Sequence, residues 1–316
     1  MFNTPILFLV FNRPDLAQQV FECIRQIKPK ELYIAADGPR ENRDDDVLKC
    51  AQTREIIKQV DWECEVHTLF REKNLGCKKA VSSAINWFFE NVEAGIILED
   101  DTLPDLSFFT FCEKMLNRYR DDERVMMISG YNTSEKWKAE LQSYHFSYFG
   151  GIWGWASWRR AWQYYDVNIS SWGEPENKQL LKEAYFSPEQ FKSREAMYND
   201  LYNGVIDTWD LQWTYCRLMN SGLSIIPSIN LVKNIGFRSD GTHTTGVPPI
   251  WATYSSYSLL NNIHIKNTIL VDKEYDRNHL NLSTPKSDSL MDNRSLKKNR
   301  SLLKKLIVSI IKKIAN

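Results

Sequence analysis

The stretch Ala94-Gly-Ile-Ile-Leu-Glu-Asp-Asp101 decides the fold of this chain, because a short apolar run ends in three successive carboxylates. An apolar run of this length is typical of a buried strand in a parallel sheet. The stretches Pro5-Ile-Leu-Phe-Leu-Val-Phe11 and Leu32-Tyr-Ile-Ala-Ala36 have the same character. We therefore expect strands at 5–11, 32–36 and 94–98.

Helical patterns lie between these strands. Pro14 suits the first position of a helix, and Leu16, Val20 and Ile24 follow it at helical spacing. Similar reasoning places helices at 44–59, 78–89, 108–119 and near 207–221, and further strands at 64–70 and 125–129. The alternation predicts an α/β domain with a mostly parallel, doubly wound sheet flanked by helices.

Three of the predicted strands end in polar or charged residues, which are Asn12 with Arg13, Asp37, and the run from Glu99 to Asp101. Ligands of parallel sheets bind beyond the carboxyl ends of the strands, where these groups would meet. The chain has neither the G-x-G-x-x-G fingerprint nor a Walker loop. A phosphate group would therefore be held in another way.

The three acids Glu99, Asp100 and Asp101 repel one another unless a cation is present. Carboxylate oxygens suit Mg²⁺ or Mn²⁺, which commonly lies between one or two carboxylates and substrate phosphates. The alternative is a solvated acidic turn in which Asp101 or Asp105 caps the following helix. The preceding apolar strand favours the metal site.

The charge of the chain is zero overall but unevenly distributed. The 316 residues include 40 Lys plus Arg and 40 Asp plus Glu, a balance that argues against a nucleic-acid partner. Residues 294–316 hold eight basic residues and no acid, which leaves a net charge of −8 on residues 1–293. Apolar residues recur at helical spacing in 302–316, so we expect a basic amphipathic helix that binds an anionic membrane surface. A helix docked on the acidic body or in an oligomer interface is the alternative.

The compartment is inferred from what the sequence lacks. No secretory signal pattern and no run of about 20 apolar residues is present. The six cysteines form no C-x-x-C pair and no zinc spacing, which indicates reduced thiols. We expect a cytoplasmic protein that is peripheral to the inner face of the membrane.

Several motifs in order resemble the GT-A-type glycosyltransferases, especially the N-acetylglucosaminyltransferase I group and family-two-like bacterial transferases. The resemblance covers about residues 5–245 and includes Asn12-Arg13, Asp37-Gly38, Asn74-Leu-Gly76, Ile97-Leu-Glu-Asp-Asp-Thr-Leu-Pro104, Trp209-Asp210-Leu-Gln-Trp213 and Asn234-Ile-Gly-Phe237. The acidic run after an apolar strand is the most specific of these. The resemblance implies a GT-A fold that binds a nucleotide sugar.

The resemblance also implies roles for the residues at the predicted strand ends. Asp101 would coordinate Mn²⁺ or Mg²⁺, and Glu99 and Asp100 would hold the ribose or the donor sugar. Arg13 and Asp37 would contact the nucleoside. From the residues alone, Arg13 is otherwise a surface side chain on a first helical turn, and Asp37 belongs to an Asp-Gly-Pro turn.

The motif Trp209-Asp210-Leu-Gln-Trp213 supplies the expected catalytic base, Asp210, although the family pattern is W-D-D-W. An inverting transfer needs such a base to take the proton of the acceptor hydroxyl. Asp207 is a second candidate at the acceptor. The alternative is a capping box, with Asp207 as N-cap and Asp210 three residues later.

Two further regions are expected near the substrates. Five tryptophans fall in 153–172, where Trp153 and Trp155 are candidate acceptor contacts, although most of the five suit core packing. The glycine-rich loop 236–249 suits closure over a ligand, and its His243 would contact the diphosphate or the metal. A solvated His243 is the alternative.

The predicted organisation has four parts. Residues 1–105 form the nucleotide-sugar-binding half of the domain and 106–282 the acceptor-binding half, followed by a linker at 283–301 and the helix at 302–316. The function expected is a metal-dependent inverting glycosyltransferase that moves GlcNAc or another hexose from a UDP-sugar to a glycan or lipid-linked acceptor. The alternatives are a nucleotide-sugar nucleotidyltransferase, whose glycine-rich N-terminal loop is missing here, and a non-catalytic glycan-binding or membrane-adaptor module.

Overall fold

A computed structural model describes residues 2–238, 248–259 and 263–283 of the chain. Its strands are β1 (Ile6–Val10), β2 (Glu31–Ala36), β3 (Glu65–Phe70), β4 (Ala94–Glu99), β5 (Thr102–Pro104), β6 (Val125–Ser129), β7 (Tyr144–Ser147), β8 (Trp155–Trp158), β9 (Leu223–Pro227) and β10 (Val232–Asn234). Its α-helices are α1 (Pro14–Ile27), α2 (Asp44–Arg54), α3 (Gly76–Asn91), α4 (Leu106–Arg118), α5 (Arg159–Trp162), α6 (Pro175–Lys182), α7 (Pro188–Tyr202), α8 (Asp210–Met219) and α9 (Lys273–Ser283). The predicted linker and basic helix lie outside the described residues, apart from Ser283.

The central sheet has eight strands in the order β3-β2-β1-β4-β8-β6-β9-β7. The first four strands are parallel, with Leu7 opposite Tyr33 on β2 and Ile97 on β4. The predicted α/β class with a mostly parallel sheet flanked by helices is therefore confirmed. The carboxyl ends of β1, β2 and β4 meet at one edge, as parallel pairing requires.

The second half of the sheet is mixed, because β8 is antiparallel to both β4 and β6. Strand β9 is parallel to β6, and β7 closes the sheet antiparallel to β9. A separate two-stranded ribbon joins β5 to β10. This ribbon holds residues 232–234 beside the turn that follows β4.

Two apolar cores cover the two faces of the sheet. Alternate side chains of β1 divide between them, with Ile6, Phe8 and Val10 on one face and Leu7 and Leu9 on the other. The first core includes α1 and α4, and the second includes α3 and α8. Most of the clustered tryptophans are core residues as expected, since Trp155, Trp158, Trp162 and Trp172 are buried.

Some element bounds differ from the sequence expectation. The helix expected at 44–59 is α-helical only to Arg54 and continues as a 3₁₀ turn over Glu55–Gln59. The helix expected from 207 begins at Asp210. Within 2–238, 248–259 and 263–283, no helix combines the length and apolar character that a membrane span needs.

Candidate active site

The acidic run Glu99-Asp100-Asp101 forms the turn that follows β4. Thr102 shapes this turn, because its hydroxyl accepts from the Glu99 amide and donates to the Glu99 carbonyl, both at 2.9 Å. Asp105, and not Asp101, caps α4 by accepting from the Ser107 amide at 2.9 Å. The carboxylates of the run are therefore not consumed in capping the following helix.

Arg13 lies against this turn and pairs with two of its acids. Its guanidinium donates to Asp100 Oδ1 and to Asp101 Oδ2, the second contact at 2.9 Å. Asp100 Oδ2 also accepts from the amide of Phe11 at 3.2 Å. Arg13 is thus a mostly buried link between the ends of β1 and β4, with 18% of its side chain exposed, and not a surface residue of a first helical turn.

The third acid, Glu99, has no such partner. Its Oε1 is buried and accepts no hydrogen bond from the described residues. Burial, followed by the charges of Asp101 and Asp100, raises the pKa of Glu99 well above its usual value. Burial also raises the pKa of Asp100 to about 6, although Arg13 opposes the shift. A cation beside Glu99 would stabilise the ionised carboxylates and so offset much of the free-energy cost of burying their charges.

A cavity of about 240 Å³, here called the strand-end cavity, opens beside these acids at the carboxyl ends of β1, β2 and β4. Its charged lining residues are Arg13, Asp37, Arg40, Arg71, Glu99, Asp100 and Asp207. Most of the predicted nucleotide-sugar residues are therefore brought together in one place. Asp101 accepts a hydrogen bond from Arg13 and therefore lies next to these lining residues.

Asp37 holds the turn that follows β2 against the start of α3. Its carboxylate accepts from the amides of Gly38 and Leu75 and from the side-chain amide of Asn74, at 2.9 to 3.0 Å. Burial raises its pKa, opposed by these hydrogen bonds. The Asp37 carboxylate therefore stabilises this turn through its hydrogen bonds, and it also lines the cavity.

The capping box that was the alternative interpretation of Asp207 and Asp210 does not form. Helix α8 has Trp209 as its N-cap residue and no side-chain cap. The Asp207 carboxylate instead accepts from the amides of Cys77 and Lys78, at 3.1 and 3.0 Å, and so caps α3 from 130 residues away. Asp207 lines the strand-end cavity, which also differs from its expected place at the acceptor.

A second cavity, of about 500 Å³, is called here the aromatic cavity. Its aromatic lining residues are Tyr131, Phe149, Trp153, Tyr185, Trp251 and His279. Asp210 also lines it, at the first position of α8, where the helix dipole favours a negative charge. Trp153 lines this cavity, whereas the acceptor contact expected of Trp155 is wrong because that side chain is fully buried in the core.

The two cavities adjoin at residues 207 and 208, because Asp207 lines the strand-end cavity and Thr208 lines the aromatic cavity. Burial raises the pKa of the Cys77 thiol, and the charges of Glu99, Asp210 and Asp207 raise it further. The charge of Asp210 also acts on Glu99. Asp210, the candidate base, therefore lies close enough to Glu99 and Cys77 for its charge to act on both groups.

The acids after β4 fit a metal that is shared with a ligand. No group of three metal-binding side chains occurs in the ranges that the structure describes, so the protein alone does not complete a coordination shell there. Glu99 Oε1 supplies one unused oxygen, and Asp101 supplies carboxylate oxygens beside it. Mg²⁺ typically takes one or two carboxylates and completes its shell with phosphate and water.

Gly236 lies directly against the expected metal ligand Asp101. A Cβ added to Gly236 would come within 2.0 Å of Asp101 Oδ2, so only glycine fits there without displacement. The Ile235 amide also donates to the Asp101 carbonyl at 2.8 Å. The start of the loop 236–249 is thereby fixed beside Asp101, while His243 lies outside the described residues.

Sequence reasoning missed four residues that line the cavities, which are Arg40, Arg71, Arg194 and His279. Arg40 is oriented by the fully buried Asp46, which also accepts from Asn12 at 2.7 Å. Asp46 belongs to the acidic run Asp44-Asp45-Asp46, which has the pattern of a solvated helix start. Its burial depends on a non-local contact with Asn12 that leaves no local signal.

Comparison with known proteins gave partial similarities of fold. Neither the family models nor the curated sequences gave a match. Among the solved structures that resemble the chain, three are 9 to 10% identical to it. The structure of the inositol-1-phosphate CTP transferase from T. maritima has a TM-score of 0.40, with 78% of this chain and 93% of that chain covered.

The other two structures match a smaller part of the chain. A cytidylyltransferase from Leptospira borgpetersenii has a TM-score of 0.33, covering 52% of this chain and 63% of that one. HddC from Yersinia pseudotuberculosis has a TM-score of 0.31, covering 50% and 77%.

Proposed function

We propose that this protein is a metal-dependent, inverting glycosyltransferase that moves a sugar, GlcNAc or another hexose, from a UDP-sugar to a glycan or lipid-linked acceptor. The observation that carries the proposal is the pair of adjoining cavities. One contains acids and arginines at the carboxyl ends of parallel strands, and the other is aromatic and contains Asp210. A sugar donor and a sugar acceptor require two such compartments that meet.

The strand-end cavity suits the nucleoside diphosphate part of the donor. Arg13 and Arg71 line this cavity, and their guanidinium groups would pair with phosphate oxygens. The Arg71 guanidinium donates to the Ser83 hydroxyl and not to a carboxylate. Asp37 would accept from a base N–H or a ribose hydroxyl. Glu99 and Asp100 would contact the ribose or the donor sugar, as their place in the same cavity allows.

Asp101 is the group proposed to hold Mn²⁺ or Mg²⁺ together with the donor phosphates. Such a cation offsets the charge that develops on the diphosphate leaving group. His243 remains a further candidate for the diphosphate or the metal.

Asp210 is the proposed general base. Its Oδ1 accepts a hydrogen bond from the Thr208 hydroxyl, which orients the carboxylate at the border of the aromatic cavity. The carboxylate would take the proton of an acceptor hydroxyl while that oxygen forms the bond to the anomeric carbon and the diphosphate departs. A single in-line displacement of this kind inverts the anomeric configuration.

A nucleotide-sugar nucleotidyltransferase is the second candidate. The observation that favours it is Arg71, a cation of this cavity whose hydrogen bond goes to Ser83 and not to a carboxylate, so that it would pair with a further phosphate group. Against it, β1 leads directly into α1 at Pro14 without a glycine-rich phosphate loop. The two reactions differ in their inorganic and nucleotide products.

The residues 302–316 are proposed to hold the protein at the cytoplasmic face of an anionic membrane. Their basic and apolar residues alternate at helical spacing in the sequence. Vesicles that contain an anionic lipid should bind the full chain and release it at high salt, whereas neutral vesicles should not bind it. Equal binding to both would overturn the electrostatic attachment.

The two enzymatic candidates are separated by product analysis on the full chain with Mn²⁺. A panel of UDP-sugars should give UDP, with or without an added acceptor, and nucleoside triphosphates with sugar 1-phosphates should give no pyrophosphate. The reverse result would establish the second candidate. The anomeric configuration of one isolated product tests the inverting assignment.

A further inference from the structure

Helix α7 places a cation in the wall of the aromatic cavity. Arg194 lines this cavity, and its guanidinium donates to Ser283 Oγ on α9 at 2.9 Å and contacts the Met197 sulfur at 3.8 Å. Both partners are neutral. Since a guanidinium has five N–H donors, most of its hydrogen-bonding capacity is left for a ligand.

Arg194 differs in this respect from Arg13 and Arg40. Arg13 and Arg40 each pair with carboxylates of the chain. No ion pair of Arg194 with a carboxylate occurs in 2–238, 248–259 or 263–283. A guanidinium in a cavity wall without a counter-charge pairs favourably with an incoming anion.

Among the described residues no carboxylate bonds to Arg194, although Asp210 lines the same cavity. Arg217, which is fully buried, adds a second cation nearby, and its bonds are to the Ser224 hydroxyl and the Tyr148 carbonyl. Burial lowers the pKa of His279 to about 3, and the charges of Arg194 and Arg217 lower it further, so the imidazole is neutral. Asp276 is occupied by Ser147 and the Tyr148 amide.

The rest of the cavity suits a sugar ring. Trp153 lies 5.6 Å from Trp251 and 4.6 Å from Tyr131 between ring centroids, which forms a continuous aromatic wall. Gly150 and Gly151 also line the cavity and expose backbone to a ligand. Aromatic faces pack on the C–H groups of a sugar, and exposed backbone offers hydrogen bonds to its hydroxyls.

We infer that the aromatic cavity takes an acidic sugar, whose carboxylate or phosphate pairs with Arg194 while its ring packs on the Trp153 wall. The inference rests on the proposed function, because it names the class of acceptor that Asp210 would activate. A neutral acceptor would offer no carboxylate or phosphate to the N–H groups of Arg194 that Ser283 leaves unused.

The test is calorimetric titration of the full chain with matched sugars. Glucuronate and galacturonate supply a carboxylate, glucose 6-phosphate supplies a phosphate, and glucose and galactose are the neutral counterparts. At least one acidic sugar should bind about tenfold more tightly than its neutral counterpart, the magnitude of one charge-assisted hydrogen bond. Tighter binding of the two uronates than of glucose 6-phosphate would identify the anionic group as a carboxylate, and the reverse order would identify it as a phosphate.

Variants of α7 connect this preference to Arg194. The preference should disappear in Arg194→Gln and be partly retained in Arg194→Lys, which keeps the charge but not the planar fork. The matched control is Lys192→Gln, which removes an exposed charge from the same helix. A wild-type chain without any preference, or a preference that survives in Arg194→Gln with an unchanged melting curve, would overturn the inference.

The outcome is separable from the proposed function. If an Arg194-dependent preference occurs but UDP-sugars give no UDP, the glycosyltransferase assignment fails and the acidic-sugar site stands. If UDP is released but neutral and acidic sugars bind alike, the acidic-sugar site fails and the glycosyltransferase stands.

Discussion

Arg13 donates to Asp101 Oδ2 at 2.9 Å and so joins the residue that follows β1 to the turn that follows β4. The same guanidinium holds Asp100, which leaves Glu99 as the acid of this turn without a partner among the described residues. The protein thus neutralises part of an acidic cluster with its own cation. The remainder is available to a metal or a positively charged ligand group.

Loss of Arg13 should destabilise the protein much more than loss of an exposed ion pair. Arg13→Gln leaves Asp100 and Asp101 buried without a counter-charge, a change that costs about 3 kcal/mol in comparable pairs. Arg25→Gln, which removes an exposed pair with Asp61, should lower the free energy of unfolding far less, because solvent screens such a pair. Urea unfolding of both variants measures the difference in the free energy of unfolding. Equal decreases in the two variants would show that Arg13 does not stabilise the buried acids.

Asp207 should prove to be a helix cap for α3. Asp207→Ala removes the acceptor for the amides of Cys77 and Lys78 and should lower the free energy of unfolding by about 1 kcal/mol. Asp207→Asn keeps a capping oxygen and should retain most of the stability. If the two substitutions are equally destabilising in thermal unfolding, the negative charge rather than the cap is responsible.

Asp210 should be required for transfer but not for donor binding. Asp210→Asn removes the proton acceptor and should reduce the turnover number by a factor of about 10² to 10⁴. The dissociation constant for the UDP-sugar should change little, because Asp210 lines the aromatic cavity and not the strand-end cavity. Near wild-type single-turnover rates in this variant would exclude Asp210 as the base.

His145 should contribute to acid sensitivity. Its side chain is 1% exposed, and burial lowers its pKa to about 3, with Lys266 and Lys138 acting in the same direction and Asp272 opposing. Because the unfolded imidazole titrates near 6.5, the stability from keeping it neutral is complete above pH 6.5 and is lost as the pH falls toward 3. The slope is about 1.4 kcal/mol per pH unit between pH 6 and 4.

His145→Phe removes this titration and should flatten the fall in unfolding free energy between pH 6 and 4. The matched control is His264→Phe, because His264 is exposed and should leave the slope unchanged. Denaturant unfolding at a series of pH values measures both. An unaltered slope in His145→Phe would assign the acid sensitivity to other groups.

The first half of the fold follows from local sequence. Strands β1, β2 and β4 and helix α1 agree with expectation to within one or two residues, because each has a strong apolar pattern and clear polar ends. The order of β6 to β9 was not predictable, since antiparallel insertion of β8 depends on packing of distant aromatic residues. Trp155 illustrates this, as its burial against Trp209 and Trp213 is set by contacts over fifty residues away.

The candidate site was likewise predictable from the sequence only in part. The acids after β4 were evident because an apolar strand precedes them directly. Arg194 and His279 were not, because the aromatic cavity is assembled from α7, α9 and the segment around Trp153, and none of these has a motif of its own. Spacing offered a cap of the nearer helix only as the alternative to an acceptor contact for Asp207, whereas the tertiary fold gives its carboxylate to α3.

The most direct test of the proposed function is the release of UDP from UDP-sugars by the full chain, with and without Mn²⁺, in wild type and Asp101→Ala. Asp122→Ala, which alters a surface acid paired with Arg124, is the matched control. The account predicts Mn²⁺-dependent UDP release by the wild type and by Asp122→Ala, and its loss in Asp101→Ala. UDP release that is independent of Mn²⁺ or unaffected by Asp101→Ala, or no release from any UDP-sugar, would contradict it.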